Sequence, residues 1–158
     1  QVSCYMKKVL VFGTFDGLHE GHLDFFRQAL RVASLPQGKL QNFKDSYLIV
    51  VVARDSTVER VKKRLPKFNE QERLKKVQEC GLVAEARLGN VAAPGEKFDP
   101  YKVIEEVKPD IICLGYDQTH FVDTLAEELP KRGLKIEIKR LKPYKPEQFH
   151  SSLLNLNE

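Results

Sequence analysis

With 158 residues, 42% hydrophobic and 30% charged, the chain is sized for one domain with a real core and has an ordinary globular composition without repeats or low-complexity stretches. Its net charge of +4 suits anionic small molecules and is too weak and scattered to argue for nucleic acid. Cys4, Cys80 and Cys113 form no C-x-x-C pair, which argues against a zinc site or a disulfide framework, and the apolar runs are of strand length, too short for a membrane span.

The residues before Met6 are set aside as a leader or expression remnant, leaving residues 6–158 as the domain; free thiols, with Cys113 in the core, and no secretory signal fit a reducing cytoplasm. Val9-Leu10-Val11-Phe12 is the apolar run of a parallel strand covered on both faces. Gly13 and Gly17 break it, and after Gly21 the spacing of Leu23, Phe26 and Leu30 becomes helical. A glycine-punctuated turn between a strand and a helix marks the crevice where open α/β sheets bind ligands. The helix start offers backbone N–H groups to an anion, and Gly21 lets a phosphate approach. His19 and His22, one turn apart, can face the same side, donate to phosphate oxygens and become cationic as charge grows. The spacing is neither a Walker loop, nor a dinucleotide G-x-G-x-x-G, nor H-E-x-x-H.

Residues 34–46, broken by Pro36 and Gly38, read as a loop. Tyr47 to Ala53 is a second buried strand, after which Asp55 or Ser56 can cap a short helix through Val61. Lys62-Lys63-Arg64, with Pro66 and Lys67, is a basic loop: either solvated charge or an arm that closes over a triphosphate. Asn69 caps the next helix, with Glu72 completing a capping box and Gly81 as its stop. Val83 to Leu88 is a less apolar strand, and Pro100 opens a helix to about Val107. Ile111 to Leu114 is a fourth strand, ending in Gly115-Tyr116-Asp117-Gln118. Phe121 to Leu129 is helical, Leu134, Ile136 and Ile138 alternate as a fifth strand, and Ser151 or Ser152 can cap a last short helix. This alternation predicts a single-domain, Rossmann-like, doubly wound parallel sheet of five strands with helices on both faces.

Gly13-Thr14-Phe15-Asp16 followed by His19-Glu20-Gly21-His22 resembles the signature of the cytidylyltransferase-like nucleotidylyltransferase superfamily. The likeness runs over about residues 7–154. Val51-Val52-Ala53-Arg54-Asp55, Asn69-Glu70-Gln71-Glu72-Arg73 and Lys108-Pro109-Asp110-Ile111-Ile112, with Gly115-Tyr116-Asp117-Gln118, look like archaeal-type FAD synthases. That resemblance implies transfer of AMP from ATP to FMN, giving FAD and pyrophosphate. The alternative is a glycerol-3-phosphate cytidylyltransferase or another sugar-phosphate nucleotidylyltransferase, whose late Arg-x-x-Gly-Ile-Ser-Thr-Thr run is here Pro146-Glu147-Gln148-Phe149-His150-Ser151-Ser152. Lys62-Lys63 also departs from the Lys-Gly common in the basic loop, and residues 34–46 are longer than in relatives.

On this resemblance His19, His22 and Lys62 would be catalytic. Gly13, Thr14, Phe15, Asp16, Gly21, Asp117, Ser151 and Ser152 would join the two histidines in binding the nucleotide. Asp117 would meet the ribose or base, and Ser151 and Ser152 a phosphate, the duller alternatives being a turn and N-caps; Phe15 could equally be core. No protein metal cluster is expected. Mg²⁺ would ride on the phosphates, with Asp16 either reaching it through water or only orienting the loop. The expected partners are small nucleotides and flavin, with neither nucleic acid nor membrane. Sheet proteins of this size commonly form homodimers, although no self-complementary patch stands out.

Overall fold

The computed structural model describes residues 7–33, 46–91, 95, 99–116, 118 and 122–143. In chain order they form β1 (Lys7–Gly13), α1 (Glu20–Ala33), β2 (Ser46–Val52), α2 (Asp55–Lys62), α3 (Glu70–Gln78), β3 (Glu85–Leu88), α4 (Lys102–Val107), β4 (Ile111–Leu114), α5 (Val122–Lys131) and β5 (Glu137–Arg140). The strands make one sheet in the order β3-β2-β1-β4-β5, every pair parallel. This is the expected Rossmann-like α/β domain. The chain steps outward from β1 to β3, then crosses back to place β4 on the other side of β1. That reversal opens a crevice beyond the carboxyl ends of the strands, where the turn after β1 lies.

Alternate residues of the central strands feed two cores. Val9 and Val11 face one side with Phe26 and Leu30 of α1 and Val77 of α3. Leu10, Ile49 and Ile112 face the other with Ile104 of α4 and Leu125 of α5. Each such side chain, fully withdrawn from water, contributes roughly 1.5–3 kcal/mol. This double burial is why β1 and β2 read as continuous apolar runs. Cys113 is buried in the first core, as expected, and burial pushes its thiol up to about 12; Cys80 is half-buried and also free. No helix of the described residues is long and apolar enough to cross a membrane.

The capping box at Asn69 forms as the sequence predicts, Asn69 accepting from the Glu72 N–H and Glu72 from the Asn69 N–H. Other boundaries differ. The cap of α2 is Arg54, without a side-chain bond, and Asp55 is the first helical residue because its carboxylate is engaged elsewhere. Helix α3 closes at Glu79 in right-handed geometry, so Gly81 is not its stop. Helix α4 starts at Lys102, not at Pro100, because the Asp99 carboxylate first accepts from the Tyr101 N–H. The fifth strand pairs only from Glu137: Leu134 donates its N–H to the Leu129 carbonyl, and its apolar alternation with Ile136 packs before ladder bonding begins. Residues 34–45 of the expected 34–46 loop and the last helix lie outside the described residues, while Ser46 is the first residue of β2, its hydroxyl donating to the Leu30 carbonyl.

The departure at Lys63 acquires a physical meaning. Lys63 closes α2 with φ 64° in the left-handed region, donating to the Glu59 carbonyl. Glycine takes that conformation without a Cβ penalty. Lys63→Gly is therefore expected to stabilise the fold by up to about 1 kcal/mol, raising Tm by roughly 2–4 °C in a thermal melt.

Candidate active site

The site is built by the turn between β1 and α1. Gly13 ends β1 where a side chain cannot go, since its Cβ would lie 2.7 Å from Phe15 Cζ. Phe15 takes φ 53° and folds its ring back under the turn. The ring is 4% exposed, 5.5 Å from the Phe26 ring and edge-on to His22 at 5.3 Å. Of the two readings of the Phe15 side chain, nucleotide contact and core, the ring takes the core one, as a floor beneath His22. The turn reverses at Gly17, with φ 97° and its N–H donating to the Phe15 carbonyl.

The two histidines come together as a stacked pair, ring centroids 4.0 Å apart. His19 Nδ1 accepts from the Gly21 N–H at 3.0 Å, and His22 Nδ1 accepts from the His19 N–H at 3.3 Å. A side chain on Gly21 would lie 2.8 Å from His19 Cε1, so glycine is required for the ring to lie over the helix start. With both Nδ1 atoms accepting, the neutral rings carry their protons on Nε2 and present them as donors on the far edge. The Gly21 amide, which the sequence offers to a phosphate, is spent inside this turn. Burial, then His19, then Lys62 lower the His22 pKa to about 4, so His22 is a neutral donor at pH 7. Lys62, exposed at the end of α2, is thereby close enough to be felt by His22.

A buried guanidinium, with no role in the sequence reading, holds the site in place. Arg73 is 1% exposed. Its Nε donates to the Phe68 carbonyl, Nη1 to the carbonyls of Thr14 and Ala53, and Nη2 to Asp55 Oδ1, all at 2.7–2.9 Å. Asp16 adds a second tie, its two oxygens accepting from the N–H groups of Lys67 and Phe68 at 2.7 and 2.9 Å. Asp55 also accepts from the Glu70 N–H, while Glu70 accepts from the Asp55 N–H and pairs with Arg54. The Arg54-Asp55 and Asn69–Arg73 stretches are thus one network joining the β1 turn, the end of β2 and the start of α3. The signal for Arg73 was its place four residues before Val77, on the inner stripe of α3.

Across the crevice, Arg140 donates to the carbonyls of Gly115 and Gln118 at 2.7 and 2.9 Å, and Gln118 Oε1 accepts from the Gly115 N–H. These bonds tie Gly115 and Gln118, after β4, to the end of β5. Asp117, Ser151 and Ser152 lie outside the described residues. Gly13, Thr14, Phe15, Asp16, His19, Gly21, His22 and Lys62 share the region around the first turn. No three His, Cys, Asp or Glu side chains among the described residues are placed to hold a metal. By accepting these two backbone N–H groups, Asp16 holds the first turn against the chain leading into α3.

The profile of the Cytidylyltransferase-like family matches residues 10–154. The chain is 42% identical over 147 residues to an FAD synthase of Methanobrevibacter smithii, covering 93% of this chain and 86% of the relative. It is 42% identical over 139 residues to an FAD synthase of Aciduliprofundum boonei, covering 88% and 80%. Among solved structures, the lipopolysaccharide core biosynthesis protein from Thermoplasma volcanium GSS1 superposes with a TM-score of 0.71 at 36% identity, over 89% of this chain and 99% of that one. With a parallel sheet reversing at β1, a stacked histidine pair at the start of α1 and these relatives, the chain belongs to the cytidylyltransferase-like family of nucleotidyltransferases.

Proposed function

We propose that this enzyme transfers AMP from ATP to FMN, releasing pyrophosphate and forming FAD. The observation that carries the reading is the His19–His22 stack with Lys62 beside it, in a chain about two-fifths identical to proteins named FAD synthase. An oxygen of the FMN phosphate attacks the α-phosphorus of ATP. The new P–O bond forms as the bond from that phosphorus to the bridging oxygen breaks, and pyrophosphate leaves with the electron pair. The attacking phosphate is already ionised, so no general base is needed. Catalysis is positioning and stabilisation of charge.

In this mechanism the Nε2–H groups of His19 and His22 donate to the α- and β-phosphate oxygens, and Lys62 steadies the β- and γ-phosphates. The turn backbone at Gly13, Thr14 and Phe15 lies along the nucleotide. Asp117 meets the ribose or base, and Ser151 and Ser152 a phosphate. Magnesium, bound to the phosphates as part of the ATP substrate, would neutralise part of their charge.

The test is a pyrophosphate-release assay crossing ATP or CTP with FMN, glycerol 3-phosphate and a sugar phosphate. ATP with FMN is expected to give turnover, with FAD as product. Turnover confined to CTP with glycerol 3-phosphate would replace this reading with the cytidylyltransferase one.

A further inference from the structure

We infer that Phe68 and the segment leading to it form the seat of the acceptor's isoalloxazine ring, a subsite that rests on FMN being the acceptor. Three of the five exposed large hydrophobic residues among those described fall within eight positions: Val61, Leu65 and Phe68, at 39%, 59% and 45% exposure. Lys62, Lys63, Arg64 and Lys67 interleave with them. A surface mixing cations with open apolar side chains matches a ligand that is part phosphate and part flat apolar ring.

Phe68 is the anchor of this surface. Its N–H donates to Asp16 of the signature turn and its carbonyl accepts from buried Arg73. Its ring lies against the turn, with Cε2 3.7 Å from where a Cβ on Gly17 would stand, two residues before His19. The backbone is thus fixed from both sides while nearly half the residue stays open to water. Such a fixed aromatic face gains when a second ring covers it, and it loses little entropy in doing so. The opposite flank is less suited: the carbonyls of Gly115 and Gln118, beside exposed Tyr116, are polar and already taken by Arg140. A flavin on Phe68 would keep its phosphate on the side of the histidine pair and Lys62.

The experiment titrates FMN into wild type, Phe68→Ala, Phe68→Leu and Phe68→Tyr while reading flavin fluorescence, and then measures KM for FMN and for ATP. Stacking on an aromatic ring quenches flavin emission, a signature that a merely structural role would not move. Phe68→Ala is expected to lose most of the quenching and to weaken FMN about tenfold or more, in Kd and KM, with the KM for ATP unchanged. Phe68→Leu should retain part of the affinity but not the quenching, and Phe68→Tyr should retain both. Unaltered FMN binding in Phe68→Ala overturns the seat alone, as does a loss that falls on ATP and marks an adenine platform. Wild type that turns over another acceptor and neither binds nor adenylates FMN overturns the parent reading, and the seat with it.

Discussion

Replacing Arg73 with alanine is expected to cost about 3–5 kcal/mol of folding stability, a large share of the roughly 5–15 kcal/mol that a domain possesses. The side chain is fully buried and satisfies three carbonyls and one carboxylate from three separate segments. Removing it leaves the part-buried carbonyls of Thr14, Ala53 and Phe68 without that donor, at a desolvation cost of up to about 1–3 kcal/mol each, least at Phe68, which water can reach. Asp55, 32% exposed at its side chain, can be rehydrated and suffers less. Arg73→Lys keeps the charge but not the planar fork, so it should recover only part of the loss. Urea unfolding measures both variants. A cost below about 1 kcal/mol for Arg73→Ala would show that water replaces the guanidinium and that the network does not hold the turn.

The second large effect falls on the histidine pair. His19→Ala and His22→Ala are each expected to lower kcat about a hundredfold, the scale of losing one donor to transition-state charge, and to lower kcat/KM by a similar factor. Near-normal rates in both variants would remove the pair from the mechanism. His22 carries a pH signature as well. Its folded pKa of about 4 lies below the ordinary 6.5, so the unfolded chain binds its proton more readily. The contribution of neutral His22 is therefore complete above about pH 6.5 and is lost as the pH falls towards about 4. Wild type should lose stability over that window, and His22→Ala should show a flatter slope in the same urea series.

These effects locate what could and could not be read along the chain. Phe15 was open between ligand contact and core, and its left-handed backbone and packing on Phe26 decide for core. The Gly21 amide offered to a phosphate is taken by His19, because a ring two residues earlier reaches back over the helix start. Asp16 ties the turn to Lys67 and Phe68, residues 51 and 52 positions away. No local pattern announces a partner at that distance.

The sequence by itself determined the parallel α/β architecture, the strand–turn–helix that carries the histidines, and the Asn69 capping box. Those features arise from apolar periodicity, glycine and capping chemistry, which act over a few residues. Only the tertiary structure decided which groups of the first turn bond to one another, that Arg73 is buried rather than solvated, and where the edge strand β5 begins to pair. These outcomes depend on groups brought together from distant positions, and on which polar atoms remain unsatisfied once water has left.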